Sequence, residues 1–403
     1  MADRPIPELS GQTPLEAAAT PYMDQLACKS VCGMVQTVPE GVEPGSGPAN
    51  MSVMGYDPRV YYTGRSPLEA LSLGIRMRST DMAFRCNLVS LDGNGDTYEE
   101  LTMLDYSAGE ISTEEAAALI KSIEETLSEE DLHFFAGKSY RHCMIWDKGP
   151  GGTTLTPPHD ISGRPIKEYL PKGEGAERIL CLMKESRAVL KNHPVNVRRR
   201  ERGLHTADSI WLWGQGTRPS MADFTEKYKK RGAVISAVDL LFGLGHCSGL
   251  EVIEVEGATG TLDTNFSGKA AAAIRGFERG LDYIYLHVEA PDECGHHGDI
   301  EGKVYSIEKI DSDILGPVLH YLEHNRETTG EEYRILILPD HPTPISIRTH
   351  SNDPVPFCLF SSDTPIDGPS SYCERAAETT PWRYSSGPDL FATFIGDRAI
   401  LAK

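Results

Sequence analysis

Across 403 residues the chain carries 39 Lys and Arg against 59 Asp and Glu, a formal charge of −20, with 39% hydrophobic and 24% charged residues. These proportions belong to a folded globular protein rather than a disordered one, and the length to two or three domains or to one large α/β domain with an insertion. The acidic balance argues against non-specific nucleic-acid binding, which needs clustered cations, but leaves room for an anionic small substrate where local cations offset the field.

In chain order, Thr13 to Leu26 shows helical spacing of Leu15, Ala18, Ala19, Met23 and Leu26, and a Gly/Pro-rich loop follows from Pro39 to Pro48. Helices are expected to begin near Pro48 and at Ser66. Ala83 to Leu91 reads as a strand ending in the turn Asp92-Gly93-Asn94-Gly95. Ser112 opens a helix whose first turn carries Glu114 and Glu115, charges that suit the positive end of its dipole. His133 to Trp146 reads as strand, loop and strand, and Glu177 to Leu190 as an amphipathic helix.

Strand-like runs return at Ser209 to Trp213, Ala233 to Val238, Leu250 to Val255, Leu281 to Val288 and Tyr333 to Leu338, with helical stretches at Lys269 to Arg279 and Val304 to His324. This βαβ rhythm predicts an α/β fold with a mostly parallel sheet flanked by helices. The segment 79–205 interrupts the rhythm and reads as an inserted, smaller α+β domain, leaving 1–78 and 206–403 as the main domain. No apolar run approaches the roughly 20 residues of a membrane helix, and the start lacks a basic and then apolar leader. Nine scattered Cys argue against a disulfide framework and for a reducing cytoplasm. Cys28 and Cys32, four apart on an expected helix, read as packing residues.

Two clusters carry chemistry. Asp292 and His296 stand at i and i+4 after one expected strand; Asp340 and His341 are adjacent after another, and His350 follows. Carboxylate and imidazole just past the carboxyl ends of parallel strands are the donors and the place expected of a metal site, and five of them suit two divalent ions about 4 Å apart. The second cluster is Pro44-Gly45-Ser46-Gly47-Pro48-Ala49-Asn50, where glycines allow close backbone approach and a helix start would face an anion. Taken alone, this second cluster is more often a plain Gly/Pro loop.

Together these residues resemble one family. Ser46 with Asn50 and Gly55-Tyr56-Asp57-Pro58, the Asp292–His296 pair, Asp340-His341 and His350 in THSNDPVPF are similar to the cofactor-independent phosphoglycerate mutases, in their archaeal-type branch of the alkaline-phosphatase superfamily. Thr63-Gly64-Arg65, Tyr140-Arg141-His142, Pro158-His159-Asp160, WLWGQG from Trp211 and GATGTLDTNFSGK ending at Lys269 extend the likeness over nearly the whole chain.

The resemblance implies an alkaline-phosphatase-like fold and two divalent ions, manganese first, with zinc or magnesium as alternatives, and no 2,3-bisphosphoglycerate. Asp292, His296 and His350 would hold one ion, and Asp340 and His341 the other beside Ser46. Ser46 would take the phosphoryl group of 3-phosphoglycerate and return it to the other hydroxyl, while the inserted domain closes against water. Arg65, Arg141, His142, His159, Asp160 and Lys269 would bind this small phosphorylated carboxylate or handle its protons. No membrane or nucleic-acid partner is implied, and the oligomeric state stays open.

The run from Val197 to Arg202 is either a further phosphate clamp or, more commonly, a solvated helix face. Family members begin with a strand ending in Gly-Asp-Gly-Met-Ala-Asp, and Met1-Ala2-Asp3 matches only its tail, so the first strand and one ligand are expected to be missing. Gly47 stands where relatives often carry Asp. Two alternatives remain, a homoserine kinase-like phosphotransferase and a catalytically impaired relative.

Overall fold

The computed structural model describes residues 1–93 and 97–396, so Asn94 and Gly95 of the expected turn lie outside the described residues. Its strands are β1 (Val31–Val35), β2 (Asp81–Asp92), β3 (Thr102–Asp105), β4 (Leu132–Phe135), β5 (Arg141–Asp147), β6 (Thr153–Thr154) and β7 (Lys172–Gly173). There follow β8 (Ser209–Thr217), β9 (Gly232–Ile235), β10 (Glu251–Ile253), β11 (Tyr283–Leu286), β12 (Arg334–Ile337), β13 (Val355–Ser361) and β14 (Arg383–Tyr384). The chain forms two compact units, one of residues 1–62 with 221–403 and the other of residues 63–220. The second is wider at both ends than the 79–205 segment marked by the change in sequence texture.

The unit of residues 63–220 is built on β2. Its twelve residues are almost all buried, because β5 pairs on one side and β8 on the other, both antiparallel, with β3 and β4 completing five strands. The run Ser209 to Trp213, expected in the main parallel sheet, therefore belongs to this antiparallel one. Its buried Trp211 and Leu212 pack with Phe84 and Leu88 and with the apolar faces of two helices. One of these, Thr113–Leu127, starts where Ser112 accepts a hydrogen bond from the Glu115 amide, and buries Leu119, Ile120 and Ile123 at helical spacing. In the arginine run, Arg199 is buried and donates to the carbonyls of His205 and Ala108 while pairing with Glu115, which makes it a structural staple.

In the other unit the strands form two sheets, β10-β9-β11 and β12-β13-β1-β14, where the βαβ rhythm predicts one. The first is wholly parallel. In the second, β13 runs antiparallel to both β1 and β12, so the expected parallel order holds for only part of the unit. Phe266–Glu278 packs on β9 and β11. Thr13 to Leu26 is broken into Pro14–Ala17 and Pro21–Ala27, because the residue before a proline is driven out of helical geometry. Cys28 stands at the end of the second piece and Cys32 within β1, opposite Cys358, so the two do not share a helix. All nine cysteines are free thiols. No helix among the described residues is long and apolar enough to cross a membrane.

Between Ile300–Lys309 and Gly316–Thr329 the chain makes a π-helical turn, Ile310–Leu315. Its buried Asp311 accepts from the amides of Tyr22 and Met23, satisfying donors at the start of Pro21–Ala27 that the helix itself cannot.

Candidate functional site

The helix expected from Pro48 begins two residues earlier, at Ser46 itself, and runs Ser46–Val53. Ser46 Oγ lies 3.2 Å from His341 Nε2. One turn on, Asn50 donates to the Ser46 carbonyl at 2.8 Å and to Asp340 Oδ2 at 2.7 Å, and accepts from the Tyr285 hydroxyl of β11. Helix, β11 and the end of β12 are thereby held around one point. Gly47 has a steric reason to be glycine, since a Cβ there would meet the Tyr62 ring at 2.6 Å.

Past β11, Ala290–His297 places Asp292 and His296 on one face, with His296 Nε2 3.2 Å from Asp292 Oδ2. His350 Nε2 approaches Asp292 Oδ1 at 3.6 Å and His296 Nε2 at 3.1 Å, and the ligand atoms of all three residues lie within 4.8 Å of one another. His296 Nδ1 faces the Arg348 carbonyl at 3.1 Å, which fixes the ring and turns Nε2 inward. His341 Nε2 is 3.3 Å from Asp340 Oδ2, and its Nδ1 lies 3.3 Å from Thr343 Oγ1, which also donates to Asp292. Two imidazole nitrogens and a carboxylate facing a common point are a borderline-metal donor set, and the geometry fits a divalent ion.

Burial works to raise Asp292, but the hydrogen bonds from His296 and His350 prevail and hold its carboxyl well below the usual carboxylate range. The same contact lifts His296 to about 9. Burial lowers His341 and outweighs the attraction of Asp340 and Asp292.

Asp3 does not join these donors. It is buried against Lys303 Nζ at 2.7 Å and accepts from the Ile345 amide, while Lys303 also donates to the Thr343 carbonyl at 2.9 Å. Lys269 is fully buried and donates to the His287 carbonyl at 2.9 Å; burial lowers it to about 8 despite Glu289. His287 itself is held by Ser236 Oγ at 3.1 Å and Glu289 Oε2 at 3.3 Å, in a supporting position.

In the unit of residues 63–220, Arg65 Nε and Arg85 Nε reach the two oxygens of Glu69 at 2.6 and 3.1 Å, with the Arg141 charge acting on the same carboxylate. Arg85 stacks 4.3 Å over Trp213, whose ring packs edge-on to His159 at 5.3 Å; His159 Nε2 is 3.6 Å from Asp160. Of the sequence candidates, Arg65, Arg141, His159 and Asp160 thus gather in one neighbourhood. Arg85 and Glu69 were not among them, and the alternation of a buried strand gave no sign of an inward arginine. His142 is placed differently, buried on β5 with Nδ1 accepting from the Gly137 amide at 3.0 Å and Nε2 unpartnered. Burial depresses it to about 3, so it is neutral with its proton on Nε2.

A family model described as 2,3-bisphosphoglycerate-independent phosphoglycerate mutase matches residues 27–196. A probable enzyme of that description from Geobacter sulfurreducens is 52% identical over 380 residues, 94% of this chain and 93% of its own. The chain belongs to this family. Its members include the Methanosarcina barkeri 2,3-bisphosphoglycerate-independent phosphoglycerate mutase, 50% identical over 98% of this chain and 97% of that one. Among solved structures, a Pyrococcus horikoshii protein matches with a TM-score of 0.81 at 30% identity, covering 99% of this chain and 96% of its own. The cofactor-independent phosphoglycerate mutase of Thermoplasma acidophilum shares the fold, with a TM-score of 0.67 at 24% identity and coverage of 98% and 97%.

Proposed function

We propose that the chain interconverts 3-phosphoglycerate and 2-phosphoglycerate through a phosphorylated Ser46, on an alkaline-phosphatase-like α/β fold. The observation that carries this reading is the approach of Ser46 Oγ to His341 Nε2 at 3.2 Å, at a helix start tied through Asn50 to Asp340. Asp292, His296 and His350 would hold one divalent ion, manganese by preference, and Asp340 with His341 a second beside the serine. When bound, such ions neutralise phosphate oxygens and lower the pKa of a bound hydroxyl.

The chain's own residues do the rest. Ser46 Oγ attacks phosphorus as the bond to the C3 oxygen breaks, leaving phosphoserine and glycerate, with the serine proton passing to the departing oxygen. The C2 hydroxyl of the same glycerate then attacks phosphorus, gives up its proton, and restores the Ser46 hydroxyl. The amide groups opening Ser46–Val53 favour the added negative charge. Within the unit of residues 63–220, Arg65, Arg85 and Arg141 are the groups suited to an anionic substrate, since a phosphate and a carboxylate call for convergent guanidinium groups. In the same unit Asp160, beside His159, is the group suited to handle a substrate hydroxyl proton, while His142, buried and neutral, accepts from the Gly137 amide.

An enolase-coupled assay with manganese tests this, and absence of 2-phosphoglycerate would overturn it. Acid quenching during turnover of labelled substrate should leave phosphate on Ser46.

A further inference from the structure

Between Ala83 and Arg85 the pairing of β2 with β8 slips, and β8 takes one extra residue there, with Gly214 at φ 62°. A bulge of this kind re-aims the side chains beside it. Arg85 and Trp213, register partners at the slip, are stacked with the guanidinium 4.3 Å over the indole ring. The ring is fixed in turn, because Trp213 Nε1 donates to Asn87 Oδ1 at 2.9 Å. Ser66 donates to the Gly214 carbonyl, which ties the helix Ser66–Ser72 to the bulge and carries Glu69 to the arginine.

Glu69 takes Arg65 on one oxygen and Arg85 on the other, in both cases through Nε. Burial works to raise its pKa, but the charges of Arg85 and Arg65 prevail and hold it below the usual range. The Arg85 side chain is only 12% exposed, yet its Nη ends make no hydrogen bond among the described residues. Donors so enclosed are costly unless a ligand accepts from them. A guanidinium held at Nε and stacked on one face offers its two-Nη edge, whose spacing suits the paired oxygens of a carboxylate. Two guanidinium charges against the one carboxylate of Glu69 leave a single positive charge, which matches a second carboxylate better than a phosphate dianion.

Resting on the mutase reading, in which the phosphate end of the substrate reacts at Ser46, we propose that Glu69 is a positioning residue, which aims the Nη edge of Arg85, stacked on Trp213, at the substrate carboxylate. Glu69 itself touches no substrate. A plain ion pair between helix and sheet would stabilise the fold without telling a carboxylate from an alcohol, and that difference separates the two roles.

The test compares Glu69→Gln, Arg85→Lys and the double variant with the unaltered chain, all full length. In each single variant KM for 3-phosphoglycerate should rise about tenfold or more while kcat changes much less, since the lost contact serves binding. The double variant should be no worse than Arg85→Lys, because Glu69 acts through Arg85. Inhibition by glycerol 3-phosphate, which carries an alcohol in place of the carboxylate, should stay unchanged. Weakening equal to that of KM would assign the Arg85 edge to phosphate and overturn the proposal, as would an unchanged KM in Glu69→Gln or additive losses in the double variant. If Glu69→Gln does not fold, Arg85→Lys must show the same split between the two ligands, and its absence overturns the proposal. Titration with D-glycerate in magnesium, followed by the Arg85 Nε–H resonance, reads the site without turnover. That resonance, identified by its loss in Arg85→Lys, should shift in the unaltered chain at concentrations that leave Glu69→Gln unshifted. No shift in the unaltered chain overturns the positioning role. A shift without any mutase turnover defeats the mutase reading instead and leaves the carboxylate site standing.

Discussion

Ser46 owes its position to two neighbours, Gly45, where the chain turns into the helix, and Gly47, which passes beneath the Tyr62 ring. Ser46→Ala is expected to reduce mutase turnover to background while manganese binding at Asp292 persists, as read by calorimetric titration; retained turnover removes the serine from the mechanism. Gly47→Ala forces a Cβ toward a ring 2.6 Å away, and overpacking of this kind costs about 1–3 kcal/mol. Chemical denaturation should show that loss, and adding Tyr62→Ala should return part of it. If relatives carry Asp at this position, their counterpart of Tyr62 must sit elsewhere.

Elements are held by buried polar groups whose partners are far apart in sequence. Lys303, on Ile300–Lys309, joins Asp3 to the Thr343 carbonyl, fastening the first residues to the loop that carries His341. Removing one member of a buried ion pair leaves the other uncompensated, and Lys303→Met should cost about 3–5 kcal/mol, measured by urea denaturation. On β5, His142 is neutral because burial depresses it to about 3 from an ordinary 6.5. An unfolded chain takes up that proton below about pH 6.5, so the stability it contributes is complete above that value and is lost as pH falls toward 3. His142→Gln should flatten the fall of Tm between those limits, and an unchanged profile would refute the assignment.

At the scale of the molecule, each unit has its own core, one around Phe84, Leu88 and Trp211 and another around Val35, Phe357 and Leu359. Scanning calorimetry should therefore resolve two transitions. If Asp292, His296 and His350 hold manganese as proposed, only the transition of their unit should rise with added manganese, by about 2.7 kcal/mol of added stability at a hundredfold excess over Kd. Chelation should reverse the shift and leave the other transition in place.

Local pattern was enough for the elements whose signals are short-range. The Ser112 cap with its acidic first turn located Thr113–Leu127, and apolar runs located β2, β9, β11 and β12. Donor chemistry at strand ends drew attention to Asp292, His296 and His350, whose ligand atoms lie within 4.8 Å of one another, and to Asp340 and His341, which lie beside Asn50 and Ser46. Pairing was another matter. A buried antiparallel strand and a buried parallel one share the same composition, so β8 could not be told from the βαβ series, and β1 and β13 escaped notice. Arg85 was hidden for the same reason, since a charge on a buried strand declares itself only when Glu69 and Trp213 arrive from elsewhere in the chain. Residue chemistry and helical period are written along the chain; which edges meet, and which edges stay open, depends on contacts between segments hundreds of residues apart, and those exist only once the chain has folded.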